Sequence, residues 1–231
     1  MPRPPAQAAS PRDLIPQWKR LQAELAARRV SVPLPSPLPR FVAGVDAGFA
    51  DGGRTVVAVA VVCDRDAGCA VVEARQVRRA VAAPYIPTFL SFREGPAVAE
   101  ALGKLRHPFG VVLFDGQGLA HPRRCGLATH VGVQLDLPSV GVAKSRLIGE
   151  PRGDLPESAG AVTPLIDRGE VVGAVVRTRA RVRPVFVSPG HRCDLASAVA
   201  VVLACVVRCR VPEPTRQADR QVAEAKRWRV R

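Results

Sequence analysis

No C-x-x-C pair and no Cys/His spacing suited to zinc occurs in this sequence, although it holds six cysteines, at 63, 69, 125, 193, 205 and 209. Cys205 and Cys209 lie one helical turn apart in an apolar run and read as small buried hydrophobes. The opening MPRPPAQAAS has no apolar secretory core, and no apolar run approaches the length of a bilayer crossing. The chain is therefore expected to be cytoplasmic, reduced and away from membranes. Internal repeats are missing, as are the Walker and dinucleotide-binding glycine fingerprints. Tyrosine occurs once, and four lysines stand against thirty arginines.

What is present is apolar material and positive charge. Hydrophobic residues make up 47% of 231 residues, enough for one well-buried core, so a single domain is expected. The net charge of +14 speaks about partners rather than fold, and polyanions are the obvious ones, because each phosphate neutralised releases condensed counterions.

Along the chain, the Pro/Ala-rich residues 1–10 are expected to be disordered. Residues 11–29 place Leu14, Ile15, Trp18, Leu21 and Leu25 near helical spacing. VSVPLPSPLPR, with four prolines in eleven residues, can be neither helix nor central strand, and reads as an extended connector. FVAGVDAGF, TVVAVAVVCD and CAVVEARQVRRAV are Val-rich and separated by Asp/Gly turn signals, which predicts an antiparallel meander. A helix over about 91–104 follows, then GVVLFDG as a strand buried on both faces, a helix over about 123–135, and PSVGVA as a second buried strand. Beyond the turn-rich 149–160 come further strands, with a turn at Asp167-Arg168-Gly169. An apolar helix over 194–209 with Asp194 as N-cap follows, and the basic segment beyond Pro214 is read as surface helix or disorder. This order predicts an α/β class, a ribonuclease-H-like fold whose mixed central sheet carries helices on both faces. A single domain is placed at 11–219 and a basic tail at 220–231.

Several residues can carry chemistry. Asp46 interrupts an apolar strand, where a carboxylate is costly unless its charge is compensated. Asp115 ends another, at the carboxyl end where open α/β sheets place ligands. Together they would make an oxygen-rich site for a hard cation such as Mg²⁺; spacing alone equally allows a turn-opening Asp115 and an ion-paired Asp46. Glu94 lies three residues after Ser91, a pattern that by itself reads as a capping box. His191 sits in a loop, where it could orient water or be a surface residue. Tyr85 stands among Pro84, Ile86 and Pro87 in a stiffened loop, suited either to unstacking bases or to packing on the body. Gly116, Gln117, Gly118, His121, Arg123 and Arg124 follow the second carboxylate and could approach a base or phosphate. Lys144 follows a buried strand and could meet a phosphate.

In order, VAGVDAGF, PYIPTFLSFRE, LFDGQGLAHPRRCGLATHVG, PSVGVAKSRL, SPGHRCDLASA and RVPEPTRQAD resemble the motifs of the endonuclease V family, from about residue 42 to 219. The resemblance implies a Mg²⁺ ion held chiefly by Asp46 and Asp115, with Glu94 as third acidic residue and Mn²⁺ expected to substitute. It implies active-site roles for Lys144 and His191, a strand-separating wedge at Tyr85, and a pocket for a flipped inosine base lined by DGQG and the loop reaching His121. The implied activity is hydrolysis of the second phosphodiester bond 3′ to inosine in DNA, leaving 5′-phosphate and 3′-hydroxyl ends, by a protein taken as a monomer. Gly48 and Phe49 depart from relatives that carry Ser or Thr with Tyr soon after the first aspartate. Two other readings stand beside this one: a ribonuclease acting on inosine-containing RNA, and a non-catalytic protein that binds inosine or branched DNA.

Overall fold

A computed structural model describes residues 11–227, so the expectation of disorder over 1–10 falls outside the described residues, as do 228–231. Strands β1 (Phe41–Ala50), β2 (Thr55–Asp64) and β3 (Ala70–Ala80) form the antiparallel meander. Left-handed backbone at Asp51, Gly52 and Gly53 turns the first corner. Helix α2 (Leu90–Gly103) leads to β4 (Val111–Phe114), and α3 (Leu127–Leu135) leads to β5 (Ser139–Ala143). Strands β1, β4 and β5 run parallel. Strands β6 (Glu150–Pro151), β7 (Ala161–Asp167), β8 (Glu170–Arg177) and β9 (Val185–Pro189) extend the sheet antiparallel to order β3-β2-β1-β4-β5-β9-β8-β7-β6. The two-residue corner between β7 and β8 places both Arg168 and Gly169 at positive φ, the backbone a type I′ hairpin requires. Helices α1 (Pro11–Ala27), α4 (Leu195–Ala204) and α5 (Glu213–Ala225) complete the α/β, ribonuclease-H-like architecture.

Strand β4 shows why its apolar run does not alternate. Val111 and Leu113 join Val42, Val59, Val140, Val201 and Val222 on the face covered by α4 and α5. Val112 and Phe114 join Val45, Ala58, Val98 and Val131 under α2 and α3. Every β4 side chain is fully buried, and a residue the size of Phe114 contributes roughly 1.5–3 kcal/mol by leaving water. Trp18 of α1 stacks on Phe92 of α2 at 4.6 Å, which ties the first helix to the second.

Three sequence expectations are corrected. The segment beyond Pro214 is helical, one of the two alternatives read from the sequence, but residues 220–225 of the assigned tail belong to α5, whose Val222 and Ala225 are buried against β1 and β2 instead of solvated. The helix expected from Arg123 begins at Leu127, because Arg124 takes a positive φ and Gly126 packs its Cα against the Gln117 carbonyl, where a Cβ would come to 2.2 Å. Helix α4 stops at Ala204, so Cys205 is buried while Cys209 is exposed rather than a core hydrophobe. Asp194 caps α4 as expected, accepting from the Ser197 amide at 2.7 Å.

Helix α5 docks on β1 only because β1 lacks side chains where they meet. A Cβ on Gly44 would fall 2.2 Å from the Pro214 carbonyl carbon, and one on Gly48 would fall 2.8 Å from Val222 Cγ1. Gly44→Ala must therefore push α5 off the sheet. We expect it to lower stability by about 2–3 kcal/mol, read from urea unfolding, with Gly52→Ala showing no comparable loss of packing; a Gly44→Ala protein as stable as the parent would contradict this docking.

Candidate active site

The parallel strands end together, and their ends carry the chemistry. Val45 is the last β1 residue paired with β4, opposite Phe114, so Asp46 and Asp115 each sit one residue beyond that pair. Lys144 follows the last residue of β5 in the same way. Glu94 enters from α2, and Asp219 enters from the opposite face on α5, one residue after the buried Ala218. The carboxyl edge of a parallel sheet is where such folds gather ligands.

Electrostatics show that these groups share one space. Burial pushes the Asp46 carboxyl up to about 7, and the neighbouring charges of Asp115 and Asp219 push the same way. Burial likewise pushes Glu94 up to about 8, assisted by Asp46 and Asp115. Lys144 Nζ donates to Asp115 Oδ2 at 2.5 Å. Burial works against the charge of Lys144, but this bond and the carboxylates of Asp115, Asp219 and Asp46 outweigh it and raise its pKa. Sequence reasoning missed Asp219. Its signal was the recurrence of Pro214, Ala218, Val222 and Ala225 at helical spacing, which marks a docked helix rather than a tail.

Glu94 does not cap its helix. The N-cap of α2 is Phe89, without a side-chain bond, and Ser91 Oγ is buried with no partner. The capping-box reading is thereby removed, and Glu94 is left only 9% exposed beside two other carboxylates.

Beside Asp115 lies a cavity of about 450 Å³ lined also by Gly116, Gln117, His121, Lys144 and Tyr85, among others. Tyr85 is 65% exposed. Pro84 and Pro87 are exposed and Ile86 is half-buried on the same loop. The Arg93 guanidinium lies 4.1 Å from the Phe49 ring and 6.0 Å from that of Tyr85. The loop is clamped at Thr88, whose carbonyl accepts from Gln22 Nε2 (3.2 Å), His121 Nε2 (3.0 Å) and Arg123 Nη2 (2.8 Å). Burial holds His121 down at about 4, so it is neutral, and its Nδ1 accepts from the Arg123 amide.

Four residues chosen from the sequence stand elsewhere or do other work. His191 is buried at the opposite end of the sheet, where its carbonyl accepts from the Ser139 amide at the start of β5. Its Nε2 lies 2.9 Å from Asp136 Oδ1, and Nδ1 accepts from the Val30 amide at 3.2 Å. The reason is strand direction: β9 runs antiparallel to β5, so the loop after β9 opens away from the carboxylates. Arg123 is committed to Gln22, Thr88 and the face of Phe89, and Arg124 is paired with Asp167 and Glu170. Gly118 is packed against β9: its amide donates to Ser188 Oγ at 2.8 Å, and a Cβ would fall 2.4 Å from the Pro189 carbonyl.

Among the described residues, no three His, Cys, Asp or Glu side chains are placed so that they could hold a metal ion without rearrangement. The donor set nonetheless fits a hard divalent cation. Asp46 is half-buried and Glu94 buried; they repel each other and Asp115, and the cations near them are Lys144 for Asp46 and Arg93 for Glu94. No helix of the described residues is long and apolar enough to cross a membrane.

A family model described as Endonuclease V matches residues 23–220. The Endonuclease V of Gloeobacter violaceus is 50% identical over 209 residues, 89% of this chain and 84% of that protein. The crystal structure of the Endonuclease V from Streptomyces avermitilis superimposes with a TM-score of 0.86 at 40% identity, covering 96% of this chain and 95% of the other. The Endonuclease V of Ciona intestinalis, in complex with a 24mer DNA containing an inosine followed by a ribo-adenosine, gives 0.81 at 27% identity, covering 92% and 98%.

Glu94 takes up its proton at about 8 in the folded protein and at 4.5 in the unfolded chain. Between these values the folded state holds a proton that the unfolded state has released, so stability falls as pH rises through this window. Asp46 acts in the same sense between 3.8 and about 7. Glu94→Gln, which cannot ionise, should therefore gain on the order of 2 kcal/mol over the parent at roughly pH 8.5 in chelator, and little at roughly pH 4.5. Urea unfolding at both pH values checks this; a difference that does not change with pH would refute the buried-carboxylate assignment.

Proposed function

Because this chain belongs to the endonuclease V family, it is a nuclease, a hydrolase, and we propose that it cuts a nucleic-acid strand beside a deaminated base. The bond is the second phosphodiester 3′ to inosine in DNA, and the products carry 5′-phosphate and 3′-hydroxyl ends. The observation that carries this reading is the convergence of Asp46 and Glu94 on Asp115, which itself lines a base-sized cavity bordered by the exposed Tyr85. The inosine-containing DNA bound by the Ciona relative supports the choice of partner.

Asp46, Glu94 and Asp115 would hold Mg²⁺, with Asp219 adding a further carboxylate from α5. When bound, the ion would draw charge off the phosphate and acidify a neighbouring water. Lys144 holds its proton firmly beside Asp115, and its ammonium is placed to meet a phosphate oxygen once one enters. His121 stiffens the pocket wall instead of exchanging protons, because it is neutral and both ring nitrogens are engaged. Gln117 donates to the Ser145 carbonyl at 3.1 Å and fixes the floor where a flipped base would lie. Tyr85, on its clamped loop, would fill the gap that the base leaves; a mismatched inosine pair opens at lower cost than a normal one.

One observation favours a second substrate: the DNA bound by the Ciona relative carries a ribo-adenosine after the inosine. Matched DNA and RNA oligonucleotides with a single inosine, assayed side by side, decide between them, and faster cutting of DNA is expected.

Asp115→Ala should abolish cutting with Mg²⁺ while leaving binding to inosine DNA largely intact; undiminished cutting would remove the metal assignment. Tyr85→Ala should lower the preference for inosine over undamaged duplex by roughly tenfold, about the worth of one base-stacking contact. Cation affinity, followed as the rise in thermal midpoint with Mg²⁺, should stay unchanged in that variant. Equal preference in parent and variant would defeat the wedge role.

A further inference from the structure

Strands β1, β2 and β3 do not stop at the carboxylates. Pairing of β1 with β4 ends at Val45, but pairing of β1 with β2 continues to Ala50 opposite Thr55, and Thr55 in turn pairs with Ala80. The three strands therefore overhang the site as a ribbon by about four residues past Asp46, or ~13 Å at the usual rise. At the tip of the ribbon a cleft of about 1050 Å³ is lined by Asp51, Gly52, Arg54, Thr55, Arg78, Lys226 and Arg227. Four cationic side chains thus face the single carboxylate of Asp51. Arg54 also borders a second cleft that runs by Ala83 and Pro84 to Arg93, at the foot of the loop that carries Tyr85.

Two of these groups explain themselves structurally. Arg78 donates to the Ala225 carbonyl at 3.0 Å and pairs with Asp51 at 3.4 Å, so it closes the negative end of α5. The remaining three have no charged partner, although Lys226 and Arg227 also stand at the carboxyl end of α5, where a cation is favoured in any helix. Arg54, Lys226 and Arg227 are exposed, and among the described residues none forms an ion pair. Lys226 lies across β1, its Nζ 3.1 Å from where a Cβ of Gly48 would be, so the absence of a side chain at residue 48 lets it reach toward the site's side of the ribbon. Gathering like charges around one weakly compensating carboxylate costs free energy in the free protein, and a polyanion laid in the cleft relieves it.

We infer that this cleft is a phosphate-binding track that holds the nucleic-acid backbone about two to four nucleotides from the reacting bond, given a rise of ~3.4 Å per nucleotide in a duplex strand. The inference rests on the nuclease reading above for its partner, but not on the lesion or on the carboxylates. Arg54, Lys226 and Arg227 are positioning residues in it, contacting phosphates and no base. Their contribution is accordingly independent of sequence and of damage.

The test is the triple variant Arg54→Ala, Lys226→Ala, Arg227→Ala, with its thermal midpoint measured to establish folding. Binding to undamaged duplex DNA is titrated against salt in parallel with binding to inosine duplex. Losing two to three phosphate contacts should reduce the slope of log K against log salt by about two to three. Affinity for both duplexes should fall together, by more than tenfold at roughly 0.1 M salt. The cut on inosine DNA should stay at the same bond. A control variant, Arg168→Ala with Arg181→Ala at the other side of the sheet, should keep the parent slope. A triple variant with the parent's slope and affinity overturns the track, and so does an equal loss in the control. Because undamaged duplex needs neither flipping nor cutting, a parent that binds it with steep salt dependence yet leaves inosine DNA uncut would sink the function proposed above without touching this inference.

Discussion

Glu94 is buried and Asp46 half-buried within reach of each other and of Asp115, and the rest of the molecule is arranged around that repulsion. A buried carboxylate costs several kcal/mol unless something compensates it. Lys144 compensates Asp115 directly; Asp46 has only the Ala47 amide and the more distant Lys144, and Glu94 has Arg93. The folded protein answers by retaining protons. A divalent cation would release them, so cation binding and proton loss become one linked event. The core residues of β1, β2 and β4 offset the cost, since Val42, Val57, Val61, Val111, Leu113 and Phe114 leave water completely.

The carboxylates come from both faces of the sheet, and this makes the docking of α5 matter to chemistry as well as stability. Glu94 descends from α2, over the cluster containing Val45 and Phe114, while Asp219 rises from α5, over the cluster containing Val42 and Leu113. They straddle the end of β1. The approach of α5 depends on Gly44 and Gly48, which flank Asp46 on the same face of the strand, because side chains alternate with a period of two. Bare backbone at these two positions lets the helix close in, and the carboxylate between them occupies the space that remains.

Much of this could be read from the residues. Asp46 and Asp115 are legible because each breaks an apolar strand, and Val-rich segments between Asp/Gly turns made the meander plain. Glu94 was legible only through resemblance, since its local pattern imitates a cap that the helix does not use. What was hidden is direction and docking. A loop histidine before a helix says nothing about which end of the sheet it faces; His191 followed from the antiparallel course of β9, which is a tertiary fact. Asp219 was hidden by composition: the polar and charged residues of 213–225, two arginines and three carboxylates among them, suggested a surface helix or disorder, while four small or apolar residues on one stripe sufficed to dock it. His121 and Arg123 were recognised as belonging to the site, but their work is mechanical.

That mechanical work bears on selectivity. An exposed aromatic on a loose loop gains little by inserting between bases, because ordering the loop takes back what stacking provides. Here the loop is ordered beforehand. Thr88 adopts a left-handed backbone with φ of 69°, which its chain would rarely choose alone. Donors from α1, from His121 and from Arg123 converge on its carbonyl, and Arg123 Nη2 also reaches Thr88 Oγ1 at 2.7 Å. The neutral state of His121 is part of this design, because a neutral ring offers one donor and one acceptor, and both are used. Strain at Thr88 is thus carried by a buried network several residues away from Tyr85, and the tyrosine is left exposed on a rigid base. The same residues that line the pocket hold Tyr85 at its rim, so any change that loosens one loosens the other.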